Sequence, residues 1–199
     1  MPVGFAVRAL DAQTWPDFAA LVQANNGVWG GCWCLGFHEE GAAPGGHRRA
    51  AKELRVREGR AHAALVYDGD ECVGWCQFGS PKELPRIKSK RAYDASAGPG
   101  EPPPWRITCF FVGSGHRGQG VAAAALAGAL REIARLGGGL VESYPEDTEG
   151  RKVSGSFLHT GTLAMFEQAG FERDRMIGKT RWVVKRRVRA AGRSARQQA

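Results

Sequence analysis

Trp105-Arg106-Ile107-Thr108-Cys109-Phe110-Phe111-Val112 runs into Gly113-Ser114-Gly115-His116-Arg117-Gly118-Gln119-Gly120 and then into Val121-Ala122-Ala123-Ala124-Ala125-Leu126. The first eight residues are apolar, β-branched and aromatic with little alternation, which predicts a central strand buried on both faces. Past the glycines, Leu126, Leu130 and Ile133 fall at i, i+4 and i+7 of an Ala-rich stretch, the apolar stripe of a helix that Gly137-Gly138-Gly139 stops. A strand, a glycine turn and a helix in that order point free backbone N–H groups at whatever lies before the helix, a natural place for an anion. Gly118 and Gly120 let backbone approach a ligand closely, Ala122 is small, and Arg117 brings positive charge. Glycine also serves an ordinary tight strand-to-helix connection. No Gly-Lys-Ser/Thr follows, and the Gly-x-Gly-x-x-Gly spacing of residues 113–118 is not joined to a downstream ribose acid, so the Walker A and Rossmann readings fall away.

Working outward, residues 5–10 read as a first strand. Asp11 to Pro16 starts a helix with Phe18, Leu21 and Val22 on its apolar side, and a second amphipathic helix covers residues 47–58. Residues 61–67 and 72–78 are strands around Asp68-Gly69, a hairpin signal. Residues 79–104 are polar, basic and finally Pro-rich, too long for a plain connection. After the Ala-rich helix come a strand at 140–144, a helix at 160–169 closed by Gly170, and an antiparallel pair at 171–177 and 181–188.

The turn resembles the coenzyme motif of the GNAT N-acetyltransferase superfamily, Arg/Gln-x-x-Gly-x-Gly/Ala after the central strand, with Arg117, Gly120 and Ala122 in its defining places. The order of elements is similar to that family as well. The resemblance implies an α/β (α+β) GNAT fold: a mixed sheet of six to seven strands flanked by four helices and splayed between the fourth and fifth strands. It implies acetyl-CoA as acyl donor, with Arg117, Gly118, Gln119, Gly120, Val121 and Ala122 around its pyrophosphate and Phe110, Phe111 and Val112 along its pantetheine arm. A backbone N–H near Phe111 or Val112 would serve the oxyanion in direct transfer to the amine of a small molecule. The chain departs from the family pattern at the proton donor, for Phe166 stands where the helix Tyr is expected, beside the coenzyme, and the central strand has no acid. Glu142, Tyr144 and His159 are the substitutes that the resemblance brings near the reaction. A non-catalytic acyl-CoA sensor, or an acetyltransferase of a protein or a nucleic-acid-associated partner, is the competing expectation.

The chain has 199 residues and a formal charge of +8. Six cations from Lys185 onward, with no acid among them, supply most of that charge, so the expected division is one domain over 1–184, with the insert at 79–104, and a basic tail over 185–199. A short basic tail on a nearly balanced body reads against a dedicated nucleic-acid protein. No apolar run reaches the roughly 20 residues of a membrane helix, and no signal peptide is evident, which predicts a cytoplasmic monomer or homodimer. Five cysteines, an odd number, suggest reduced thiols. Cys32-x-Cys34-x-x-x-His38 lacks an obvious fourth ligand, so no metal is expected. Trp33 and Phe37 from that segment, with Arg86 from the insert, are the predicted acceptor-binding residues. Before its Pro-rich end the insert sets Lys82, Arg86, Lys88, Lys90 and Arg91 against only Glu83 and Asp94, a balance suited to an anionic acceptor or to the coenzyme's phosphates.

Overall fold

A computed structural model describes residues 4–28, 30–41, 47–98 and 102–192. Its elements are β1 (Ala6–Ala9), α1 (Trp15–Ala24), α2 (Arg48–Arg57), β2 (His62–Asp68), β3 (Glu71–Gly79), α3 (Lys90–Ala95), β4 (Trp105–Val112), α4 (Val121–Arg135), β5 (Gly139–Ser143), α5 (Leu163–Gln168), β6 (Glu172–Met176) and β7 (Trp182–Val188). The seven strands form one sheet in the order β1-β2-β3-β4-β5-β7-β6. Only β4 and β5 run parallel, joined by the α4 crossover. The sheet therefore carries residues 185–188, where the tail is expected to begin, and positions 193–199 of that tail lie outside the described residues.

The alternation of β2 shows how the two faces are used. Ala63, Leu65 and Tyr67 point into a core with Trp15, Phe18 and Val22 of α1, while Ala64 and Val66 point into a second core with Ala125, Leu126, Ala129 and Ile133 of α4. α1 and α2 thus cover one face, and α4 and α5 the other. Within the insert the structure adds a helix that the sequence reading lacked: α3 is short and buries only Tyr93 of its residues, too little pattern for periodicity to reveal. Leu84 and Ile87 also tuck into the body, so the insert is packed against it from Leu84 to Tyr93. Among the described residues no helix is long and apolar enough to cross a membrane.

Two features open the sheet at its centre. β4 and β5 pair over only three positions, Trp105↔Val141, Arg106↔Glu142 and Ile107↔Ser143. Opposite β3 the register passes from Gln77↔Cys109 to Phe78↔Ile107, leaving Thr108 as an extra residue in β4. A bulge bends its strand and sharpens the local twist, and this one sits where the pairing with β5 ends.

Candidate active site

A cavity of 400 Å³ lies between the diverging end of β4 and the start of α4. Phe110, Phe111 and Val112 form one side, and Arg117, Gly118, Gly120, Val121 and Ala122 the other. Gly118 (φ +74°) and Gly120 (φ +87°) are in the left-handed region, and a Cβ on either would meet no heavy atom within 4 Å, so both glycines border open space. Gly120 caps α4 with no side chain bonded to the helix end. The first backward bond of the helix runs from Ala124 N–H to Gly120 O at 3.0 Å, and helix geometry leaves the amides of Val121, Ala122 and Ala123 without an intrahelical acceptor. This positive end of the helix dipole faces the cavity, with Arg117 Nε held near Val112 O at 3.4 Å. These groups fit a pyrophosphate. Two predicted contacts are absent from the lining: Gln119 turns its amide to Gly115 O at 3.0 Å, and Phe166 is fully buried, edge-on to Phe110 and Phe171, behind the wall rather than in it.

Peptide groups alternate in direction along a strand. Phe110 N–H donates to His159 O at 2.6 Å, on the β5 side, whereas Gly113 N–H donates to Val73 O at 2.9 Å, on the β3 side. Of the two amides expected near the oxyanion, Val112 therefore faces the opening and Phe111 faces β3.

A second cavity of 640 Å³ lies on the other side of His159, walled by Cys34, Phe37, Cys109 and Ile87, with Arg86, Lys88 and Lys90 also lining it. His159 borders both cavities, its ring centroid 6.2 Å from that of Phe37. The structure brings Phe37 and Arg86 together here, but not Trp33, which packs on Trp15 at 6.2 Å between ring centroids. Glu142 and Tyr144 line neither cavity. Both are fully buried, with Tyr144 Oη donating to Glu142 Oε1 at 2.5 Å and Arg106 Nε 4.0 Å from the same carboxylate. Burial, and then the Glu142 charge, push the Tyr144 phenol upward, so it keeps its proton. His159 is thus the sole member of the predicted catalytic trio at the opening.

The floor of the second cavity rests on a buried network that the sequence reading passed over. Lys52 Nζ, on α2, donates to Gln77 Oε1 at 2.8 Å, His38 Nε2 at 3.1 Å and Cys34 O at 3.5 Å, and Gln77 Nε2 donates to Thr108 Oγ1 at 3.2 Å. Burial, then the charges of Lys52 and Arg55, pull His38 down to about 2, so the imidazole is neutral. Its Nδ1 donates to Glu83 O at 2.9 Å and its Nε2 accepts from Lys52. His38 is thereby spent on the network, and among the described residues no group of three His, Cys, Asp or Glu is arranged to hold a metal ion. The available signal was spacing: Lys52 lies one turn before Val56, on the buried side of α2.

The mixed sheet with its single parallel pair opened beside a phosphate-ready helix end defines an acyltransferase of the GNAT fold. The sequence profile of the Acetyltransferase (GNAT) family matches residues 27–148, and the chain belongs to that family. Among solved structures it is similar to the ribosomal-protein-S18-alanine N-acetyltransferase of Escherichia coli, with 11% identity, coverage of 96% of this chain and 97% of that one, and a TM-score of 0.50. An N-acetyltransferase of Staphylococcus aureus gives 11% identity, coverage of 94% and 98%, and a TM-score of 0.51. A ribosomal L7/L12 alpha-N-protein acetyltransferase in its apo form gives 15%, 96% and 98%, and 0.51. At these identities the likeness is one of fold. Among curated proteins no sequence matches.

Proposed function

We propose that this protein is an acetyl-CoA-dependent N-acetyltransferase that passes the acyl group directly to the amine of a small molecule held in the 640 Å³ cavity. The observation that carries the reading is the meeting of two cavities at His159, one bordered by the uncapped start of α4 and the other with mixed walls, apolar at Phe37 and Ile87 and basic at Arg86 and Lys88. The acyl donor supplies a thioester carbonyl. Around it, the amides of Val121 to Ala123 and Arg117 hold the pyrophosphate, and the edge of β4 beyond Phe110 orients the pantetheine arm. Val112 N–H is aimed at the carbonyl oxygen, where negative charge develops. A C–N bond forms and the C–S bond breaks; the amine gives up one proton and the leaving sulfur needs one, and His159 is placed to move it. Holding the two reactants across a single gap itself supplies a large share of the rate.

The first test is thermal stability with and without acetyl-CoA, beside a Gly120→Glu variant whose carboxylate projects into the open space before α4. A ligand at about 100 times its Kd stabilises the wild type by about 2.7 kcal/mol. The variant, folded to the same degree, is expected to show no shift; an equal shift in both overturns the placement. Turnover on a panel of amines then separates an enzyme from a sensor that binds and does not react, and turnover of a peptide N-terminus alone would move the acceptor to the protein class.

A further inference from the structure

The second cavity has a charge pattern of its own. Among the described residues no Asp or Glu lines it, and three cations do: Arg86, Lys88 and Lys90. Lys90 is neutralised by Asp94, with Nζ 2.6 Å from Oδ1. Arg86 and Lys88 have no acidic partner among the described residues. Arg86 is also seated. Its backbone N–H donates to Phe37 O at 3.2 Å, and its guanidinium lies against Gly41, where a Cβ would stand 1.8 Å from Nη1 and 2.6 Å from Cζ. Gly41 (φ +59°) thus leaves a slot that a side chain would fill, and the slot fixes a planar double donor beside a mostly apolar cavity. A guanidinium held in place without a carboxylate to satisfy it is complementary to an oxyanion, which it can grip through two parallel hydrogen bonds.

We propose that Arg86, assisted by Lys88, is an anion subsite of the acceptor cavity, so that the acceptor is an amine that also carries a carboxylate or a phosphate, the amine reaching His159 while the anion stays at the Arg86 side. This rests on the acyltransferase reading of the same cavity. Apolar contact with Phe37 and Ile87 fills the space between the two polar ends.

The test uses acceptors in pairs that differ only in the anion: an amino acid against its amide, and O-phosphoethanolamine against ethanolamine. Kinetics of acetyl transfer are combined with calorimetric binding to the CoA-loaded protein, so that an unreactive acceptor is still scored. The expected result is a preference of about tenfold or more in kcat/KM or Kd for the anionic member of at least one pair; which pair responds tells carboxylate from phosphate. Arg86→Gln, and Gly41→Ala, which displaces the guanidinium while keeping it in the chain, should raise KM or Kd for the anionic member about tenfold and leave its neutral partner unchanged. Equal handling of both members in both pairs overturns the subsite, as does an equal loss for both members in Arg86→Gln. CoA affinity of Arg86→Gln is read in parallel. An unchanged value is expected, and a loss that disappears with 3′-dephospho-CoA would assign the guanidinium to the coenzyme instead. Failure of the wild type to bind acetyl-CoA at all would sink the acyltransferase reading, an outcome distinct from CoA binding without anion preference.

Discussion

His159 is the residue where position and chemistry coincide, since it borders both cavities while its carbonyl closes the edge of β4 through Phe110 N–H. Replacing it with Ala should lower kcat at least about tenfold, the low end for a general acid or base, with the Kd for acetyl-CoA nearly unchanged. Glu142→Gln and Tyr144→Phe should instead leave kcat within a few-fold and cost stability, on the order of 1–3 kcal/mol, because each breaks a buried polar contact. A large kcat loss in either buried variant and none in the His159 variant would reverse these roles. The contrast explains what was legible residue by residue. Gly118 and Gly120 announce themselves because a left-handed turn before a helix favours glycine, and Arg117 because it sets a positive charge beside them. Whether Phe166, Glu142 or Trp33 faces a cavity or the core depends on tertiary packing, which neighbours in sequence do not encode.

Among the elements, α4 shows how closely the sequence matches its position. A glycine in a helix interior costs about 1 kcal/mol relative to Ala. At Gly128, however, a Cβ would stand 2.4 Å from Val7 Cγ1 of β1 and 3.1 Å from Ala64 Cβ of β2, so the missing side chain lets the helix lie down on the sheet. Gly128→Leu should destabilise the fold by about 1–3 kcal/mol through overpacking, seen as a lower urea midpoint with little change in slope; an unchanged midpoint would mean that α4 has room to lift. The long periodic elements were readable: α4, the β2–β3 hairpin around Gly69 and the β6–β7 pair all fall within a residue or two of their expected ranges. α3 was not, and α5 is shorter than its predicted span because residues 160–162 serve as a connection, with Gly161 N–H bonded to Leu158 O and Gly161 O to Glu146 N–H.

On the scale of the whole molecule, stability should carry an acid limb that Glu83 helps to set. Burial pushes its carboxyl up, but His62 and the Ser80 N–H and hydroxyl outweigh that and bring it down to about 2 from 4.5. A depressed carboxyl stabilises the fold fully above its unfolded value, and the contribution fades as pH falls from 4.5 toward 2. Glu83→Gln should therefore be less stable than wild type at pH 7, by on the order of 1–3 kcal/mol, and the gap should close between about pH 4.5 and 2 in urea melts; a gap independent of pH would assign the loss to packing alone. Strand order follows chain order from β1 to β5, which made that part of the sheet easy to anticipate, whereas the insertion of β7 between β5 and β6 and the extra residue at Thr108 left no mark in the apolar runs. That residue changes the parity of β4. Before it, odd-numbered side chains, Trp105 and Ile107, belong with α4; beyond it, odd numbers, Cys109 and Phe111, belong with α1, and the even Phe110 and Val112 take the α4 side. One uncounted position thus acts as a spatial frameshift within a single strand. Straightening the bulge, so that Thr108 took a regular place in the pairing, would spare every apolar residue of β4 and still deliver each of those that follow to the wrong core.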